Sequence, residues 1–244
     1  MVLFFIIQFS GYWIQTDWSG GEGQYSWVDS NSYFVSENMD GKVFTGLLGL
    51  SAPSGKWESF GLPVPVKQAN VISEADPGIL YVGCGWDSAR VFKFGDFGNS
   101  LLARNSLGAG EVISLQVLHN GDVLAGTSTG RLWIGKDSQW MEVANFGTPI
   151  LKLYQPPDFN WIYLGTANGI IWVDENGSGL TWNYYEALPN IQKVLDIFES
   201  SWGYFYACTK STDGKGRIFR SLYSGQHWDT LNYMSLPGLG VKYL

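Results

Sequence analysis

Apolar and polar residues alternate along much of the chain with the two-residue period of β-strands, most clearly in the middle. There the sequence predicts four short strands, at Val112–Leu118, Val123–Thr127, Arg131–Ile134 and Trp140–Val143. The Asn-Gly pair in the turn His119–Asp122 is a strong hairpin signal. No stretch of helical length repeats its apolar residues every 3.6 positions. The pattern therefore predicts an all-β protein.

A short apolar motif that ends in small residues recurs along the sequence. Its four copies are Leu80–Cys84, Leu124–Thr127, Tyr163–Thr166 and Tyr206–Thr209. The copies are spaced by 43, 39 and 43 residues, which is the period of a four-stranded propeller blade. A second marker agrees with this period, because a tryptophan lies near the end of most units. These tryptophans are Trp57, Trp140, Trp182 and Trp228.

The repeat predicts one β-propeller domain over residues 1–244, with about five four-stranded blades. The predicted blades are 42–64 together with 239–244, then 65–108, 109–147, 148–189 and 190–234. The last residues resemble the opening strand of a further unit, so we expect the two chain ends to close the ring in one composite blade. Small residues in the motif would permit close approach of neighbouring backbones, while aromatic residues would fill the space between blades.

Residues 1–41 do not follow the repeat. We expect a strand at Val2–Phe9, where Phe4, Phe5, Ile6 and Ile7 lie, followed by a Gly-rich and aromatic extension that includes 16–27. A truncated or mis-assigned signal peptide is the alternative, although the basic start of a secretory signal is absent. The strand would either complete the ring of its own chain or pair with a neighbouring molecule, and the second arrangement builds rings or filaments.

The loops before several fourth strands resemble the Asp-box of BNR-type propellers, whose pattern is Ser-x-Asp-x-Gly-x-Thr-Trp. The positions that match this pattern, or that belong to shorter versions of it, are Ser221, Gly225, Trp228, Gly179, Thr181, Trp182, Gly55, Trp57 and Trp140. Tyr223 and Gly177 stand where the motif has its Asp. The resemblance implies a structural hairpin at the rim. The family includes sialidases and also many non-catalytic proteins.

Composition and charge exclude some classes of partner. The net charge is −7 and only 15% of the 244 residues are charged, whereas 16% are aromatic. Because a nucleic-acid binder usually has a basic face, which this chain lacks, we expect no nucleic-acid partner. The N-terminal apolar run is too short to span a bilayer. Cys84 and Cys208 occupy the same second-strand position in the second and fifth units, which are not neighbours if the composite blade lies between them, and this favours free, buried thiols over a disulfide.

No catalytic, cofactor-binding or metal-binding constellation is recognised, and we expect neither an enzyme nor a cofactor. Arg90 and Arg131 occupy equivalent repeat positions, which is unlike the converging arginines of a sialidase. The carboxylates lie in predicted loops with no pairing that a glycosidase would need. His119 and His227 have no nucleophile motif beside them.

Two functions follow from these patterns. The first is a non-catalytic structural or interaction module, extracellular or at the cell surface, that binds a protein partner or assembles with itself. The second is a glycan-binding or glycan-hydrolysing propeller that uses rim aromatics such as Trp18, Trp27 or Trp86 for stacking.

Overall fold

A computed structural model of the chain describes residues 6–9, 12–15, 23–28, 31–36, 46–51, 56–61, 68–76, 79–85, 88–95, 100–200, 202–221, 225 and 227–231. Within these ranges, side-chain surroundings are described from residue 70 onward. The regular structure in this part of the chain is β-strand, and the strands pair antiparallel. It holds no helix long and apolar enough to cross a membrane. The chain divides into two compact units, residues 1–108 and 109–244.

The first unit contains one hairpin and two four-stranded sheets. Its strands are β1 Ile6–Phe9, β2 Tyr12–Gln15, β3 Gly23–Val28, β4 Asn31–Ser36, β5 Gly46–Ser51, β6 Lys56–Gly61, β7 Gln68–Asp76, β8 Ile79–Gly85, β9 Arg90–Gly95 and β10 Ser100–Ser106. Strands β1 and β2 pair with each other. Sheet I consists of β3 to β6 and sheet II of β7 to β10, each in sequence order, and β7 adjoins β3 and β4.

The second unit contains three four-stranded sheets with the same sequential order. Its strands are β11 Val112–Val117, β12 Val123–Thr127, β13 Arg131–Lys136, β14 Gln139–Asn145, β15 Ile150–Tyr154, β16 Ile162–Thr166, β17 Ile170–Asp174, β18 Asn183–Ala187, β19 Ile191–Glu199, β20 Phe205–Ser211, β21 Gly216–Ser221 and β22 Asp229–Thr230. They form sheet III, sheet IV and sheet V in turn. The first strands of successive sheets adjoin, since β11 lies beside β15 and β15 beside β19.

The recurring motif forms the second strand of each sheet from II to V, and the first strand bulges beside it every time. In sheet III the register shifts between Val112 and Ser114, opposite Gly126. A Cβ on Gly126 would lie 2.3 Å from Ser114 Oγ and 2.6 Å from Ile150 of the following sheet. A Cβ on Gly165 would lie 2.7 Å from Val194. Small residues are therefore needed here because the first strand of the next sheet packs directly against them.

The core of the second unit lies between successive sheets. Leu124 and Leu132 of sheet III pack with Ile150 and Leu164 of sheet IV, and all four are fully buried. A separate cluster joins sheet IV to sheet V. Aromatic rings fill the wider gaps, as in the edge-on contact of Phe146 with Trp172 at 5.1 Å between ring centroids. Burial of one such leucine contributes about 1.5–3 kcal/mol, so these cores between sheets stabilise the fold.

The start of the chain differs from the expectation. Strand β1 pairs with β2, with Ile7 opposite Ile14. Residues 23–28 were expected in a surface extension. They instead form the first strand of sheet I, because each of them pairs with a residue of β4. Sheet I takes all four of its strands from residues 23–61. Residues 239–244 lie outside the described residues, so ring closure by the C-terminal segment stays a prediction.

Cys84 and Cys208 are buried and free of any disulfide, as the sequence predicts. Burial raises the pKa of both thiols, and that of Cys208 reaches about 12. For Cys208 the charge of Asp196 adds to the effect of burial and Lys152 opposes it. Both residues therefore act as small apolar side chains of the second strand rather than as reactive thiols.

Candidate interaction surface

The antiparallel order gives each sheet of the second unit two different ends. Turns between the second and third strands lie at one end, which we call the hairpin end and which comprises 128–130, 167–169 and 212–215. Loops after the first and third strands lie at the opposite end, called the loop end. The first-strand loops there are 118–122, 155–161 and 200–204.

Buried hydroxyls bond to the backbone of the next strand in each sheet of the second unit. Those of Thr127, Thr166 and Ser211 lie at the hairpin end, where Ser211 donates to Lys215 O at 3.0 Å. Thr127 Oγ1 donates to Arg131 O and accepts from Arg131 N, both at 2.9 Å. Thr166 makes the same pair of bonds to Ile170, at 2.8 and 3.2 Å. Thr209 Oγ1 donates to Arg217 O at 2.9 Å. Because these buried hydroxyls satisfy the backbone of the next strand, the threonine that ends each motif has a structural role.

The loop end of sheets IV and V rests on polar links between neighbouring sheets. Lys152 Nζ lies 2.5 Å from Asp196 Oδ1, which joins β15 to β19. The hydroxyl of Tyr154 accepts a hydrogen bond from Glu199 N at 3.1 Å. The buried side chain of Gln155 accepts from His119 N and donates to Asn160 O. These bonds fix where the loops 155–161 and 200–204 leave their strands.

Aromatic side chains are exposed on both of these loops. Trp202 is 84% exposed, Phe159 is 42% exposed and Tyr204 is 38% exposed. The ring of Phe159 lies 6.5 Å from that of Phe205, which in turn packs on Tyr163 at 4.8 Å. An aromatic ring held by a core contact and left open to solvent on its other side is a typical anchor for a partner.

A tight turn carries Trp202. Gly203 N donates to Ser200 O, and Ser200 N donates to Tyr204 O, each at 2.9 Å. The Ser200 hydroxyl also accepts from Tyr204 N at 3.3 Å. Gly203 has a φ of 74°, a conformation that favours glycine. These bonds among Ser200, Gly203 and Tyr204 therefore form the turn in which Trp202 lies.

Carboxylates lie beside these aromatics. Asp158 is exposed next to Phe159, and Glu199 ends β19 just before the turn of Trp202. A Cβ on Gly203 would lie 3.9 Å from Glu199 Oε1, so this carboxylate faces the same turn. Partial burial, and then the charge of Asp158, raise the pKa of Glu199. We call Phe159, Trp202, Tyr204, Asp158 and Glu199 the aromatic–acidic surface.

The loop that follows β17 is organised by a residue that the motif did not identify. Asp174 is fully buried, and its carboxylate accepts four hydrogen bonds at 2.6–3.2 Å. The donors are the backbone N–H groups of Asn176 and Gly179 and the hydroxyls of Ser178 and Thr181. The sequence signal was an Asp at the end of an apolar run, followed by several short polar residues.

The predicted rim residues take structural positions. Gly179 has a φ of 74°, and the indole of Trp182 donates to its carbonyl oxygen at 3.0 Å. The indole of Trp140 makes the equivalent bond to Asp137 O at 3.2 Å. The Asp-box-like resemblance stays a prediction, although both tryptophans close the loop before a fourth strand.

The equivalent loop of sheet V is described only in part. The buried hydroxyl of Ser221 accepts from Gly225 N at 3.1 Å, and Trp228 is buried. A Cβ on Gly225 would lie 2.7 Å from the Tyr163 ring. Trp57 lies on β6 opposite Leu50, whereas Gly55 lies outside the described residues.

The residues expected to interact at the N-terminal region are not gathered in one described site. Ile6 and Ile7 lie on β1, and Trp27 lies on β3 opposite Ser32. Phe4, Phe5, Trp18 and Trp86 lie outside the described residues. The exposed aromatics Phe159, Trp202 and Tyr204 were missed by sequence reasoning, because these residue types do not recur in the equivalent loop 118–122 of sheet III.

The described residues contain no group of three His, Cys, Asp or Glu side chains placed to hold a metal ion. Glu175 accepts a hydrogen bond from the Tyr185 hydroxyl at 2.5 Å, which engages that carboxylate within its own sheet. What the aromatic–acidic surface offers chemically is stacking, apolar contact and attraction for cations.

No protein-family model matches the sequence, and no curated protein matches it significantly by sequence. Several solved structures nevertheless share its fold. YCF48 from Cyanidioschyzon merolae has a TM-score of 0.66 at 14% identity, over 93% of this chain and 77% of that one. YCF48 bound to D1 peptide has a TM-score of 0.59 at 14% identity, over 91% of this chain and 71% of that one. Saccharomyces cerevisiae Sqt1 has a TM-score of 0.65 at 13% identity, over 98% and 70%.

The chain has the all-β fold of a β-propeller. At these identities the likeness shows the fold and not the function. The predicted fold class, an all-β propeller with about five four-stranded sheets, is confirmed by the sheets and by these neighbours.

Proposed function

We propose that this propeller is a non-catalytic interaction module that binds a segment of a partner protein at the aromatic–acidic surface. The observation that carries the proposal is the exposure of Phe159, Trp202 and Tyr204 on adjoining loops of two sheets whose cores are packed. Loops on a rigid scaffold are the usual place for binding residues. A structure of similar fold, YCF48, has a peptide bound, which is compatible with the proposal.

A peptide display library of linear segments, selected on the immobilised protein, tests this function. We expect enriched peptides whose binding is weakened at least about tenfold by the double substitution Phe159→Ala and Trp202→Ala, since aromatic anchors dominate small interfaces. Met141→Ala is the matched control, because Met141 is 58% exposed on the outer strand of sheet III. A library without enriched peptides, or binding that both sets of variants retain, would overturn the proposal.

A glycan partner is the second candidate, favoured by the open indole of Trp202, which offers a flat face for sugar stacking. A glycan array probed with the wild type and with Trp202→Ala discriminates the two functions. Trp202-dependent binding to a glycan, without peptide binding, would support this candidate and reject the first. A panel of glycosidase substrates tests the non-catalytic part of the proposal, because any turnover contradicts it.

Self-association and location outside the cell stay within the proposal. Among the described residues, the apolar strand β1 pairs with β2 alone, and the edge of such a sheet can accept a further strand from a second copy. Light scattering on the purified chain should show a mass above that of a monomer, and substitution of Ile7 by Lys should reduce it. Cell fractionation tests the location.

A further inference from the structure

The aromatic–acidic surface has the chemistry to select among partner segments. Trp202 and Phe159 offer apolar rings, Asp158 lies on the loop of Phe159, and Glu199 ends β19 directly before the loop of Trp202. The two loops adjoin, because the Phe159 ring lies 6.5 Å from that of Phe205 and Glu199 N donates to the Tyr154 hydroxyl at 3.1 Å. Partial burial, and then the charge of Asp158, raise the pKa of Glu199. A cation placed between these two carboxylates would relieve their repulsion, whereas an anion would add to it.

Two basic side chains at the loop end of sheets IV and V already have partners. The guanidinium of Arg220 lies over the Tyr204 ring, 5.6 Å from its centroid. Lys152 is paired with Asp196. The Arg220 contact also shows that a guanidinium fits against an aromatic ring at this end of sheet V. Trp202, whose ring is more exposed than that of Tyr204, leaves room for a similar contact with a partner.

We propose that the surface binds an extended peptide segment in which arginine or lysine lies next to an apolar residue. The apolar residue contacts Phe159, and the cation lies between the Trp202 ring and the carboxylates of Asp158 and Glu199. This inference rests on the proposed function. The net charge of −7 over the whole chain acts in the same direction, since it draws basic segments towards the protein.

The test compares the peptides selected from the display library on four forms of the protein. On the wild type we expect enrichment of Arg and Lys beside apolar residues. On Asp158→Asn with Glu199→Gln we expect that preference to disappear, and basic peptides to bind about tenfold more weakly, while neutral peptides bind unchanged. Both substitutions keep the shape of the side chain, so that folding is preserved and the charge alone is removed.

The matched control is Met141→Ala with Glu142→Gln, which removes one apolar and one acidic side chain from the exposed outer strand of sheet III. It should leave the preference for basic peptides intact. The fourth form, Phe159→Ala with Trp202→Ala, should weaken basic and neutral peptides alike.

The outcomes separate this inference from the proposed function. Neutral or acidic peptides that dominate on the wild type, and still require Trp202, would overturn the inference and leave the interaction module standing. Peptides that bind regardless of Phe159 and Trp202 would overturn both. Binding of basic peptides that rising salt does not weaken would also contradict the inference, because attraction between solvent-exposed charges is screened.

Discussion

The two ends of the sheets in the second unit differ in the side chains that they carry. At the hairpin end, the hydroxyls of Thr127, Thr166 and Ser211 each donate to the backbone oxygen four residues further on, one in each of the three sheets. At the loop end the turns 118–122 and 200–204 share their backbone hydrogen bonds, but Trp202 and Tyr204, which are exposed on the second turn, have no counterpart on the first. Hydrogen bonds that recur from sheet to sheet stabilise the sheets, whereas exposed aromatics confined to two adjoining sheets are available to bind a partner.

The loop end is itself divided. The loop after β17 turns its polar groups inwards on Asp174, so it is a structural loop. The loops 155–161 and 200–204 instead hold their backbones with hydrogen bonds and leave their rings in solvent. From this difference we infer that the hairpin end and the Asp174 loop stabilise the fold, and that the aromatic–acidic surface binds a partner. Four substitutions test this assignment.

The largest expected effect is that of Asp174→Ala. The substitution leaves four donors without their acceptor, one of them the buried N–H of Gly179, so we expect a loss of about 3 kcal/mol in the free energy of unfolding. Urea denaturation measures it. The exposed Asp229 supplies the control Asp229→Ala, which should change stability by less than about 0.5 kcal/mol. Equal effects of the two substitutions would contradict a structural role for the Asp174 loop.

The next effect concerns the hairpin end. Thr166→Val keeps the shape of the side chain but removes the hydroxyl that bonds both polar groups of Ile170, so we expect a loss of about 1–2 kcal/mol. Peptide binding should be unchanged below the unfolding temperature. The control is Thr230→Val on the exposed outer strand of sheet V. Loss of binding without loss of stability would break the comparison between the two ends.

Much of the fold was predictable from the sequence, because each signal was repeated. Four copies of the small-residue motif gave the second strands, and the close approach at Gly126 and Gly165 explains why the motif exists. The start of the chain was less predictable. Strands β3 and β4 do not contain the repeated motif. Strand β3 pairs with β4, and β4 pairs with β5, so their place in the sheet depends on the register between strands and not on a recurring local pattern.

The candidate surface was not predictable in the same way. Its aromatics lie in loops of different length and composition, so no periodic comparison could separate them from other exposed residues. The threonine hydroxyls were in principle detectable, since Thr127, Thr166 and Thr209 recur at one position of the repeat. They were interpreted only as small residues, although the structure gives their hydroxyls a role of their own.

The substitution Trp202→Ala should change stability less than the two substitutions above, but it should weaken peptide binding strongly. Because the indole is 84% exposed, Trp202→Ala should change the free energy of unfolding by less than about 0.5 kcal/mol. Affinity for selected peptides should nevertheless fall at least about tenfold. Fluorescence anisotropy and urea denaturation on the same preparation measure both quantities. A clear loss of stability would show that Trp202 belongs to the core of sheet V.

The smallest effect is a pH dependence from Glu199. Its pKa is raised in the folded protein, so between the ordinary value for glutamic acid and this raised value the folded state binds more protons than the unfolded state. Stability therefore falls as pH rises through that window, and Glu199→Gln removes the loss. We expect the variant to gain thermal stability over the wild type at neutral pH, and the gain to shrink as the pH is lowered. Because Glu199 is partly exposed, the gain should be small. A gain that grows towards acid pH would mean that the ionised carboxylate is stabilised by a partner, and its repulsion from Asp158 could then no longer be an argument for a basic ligand.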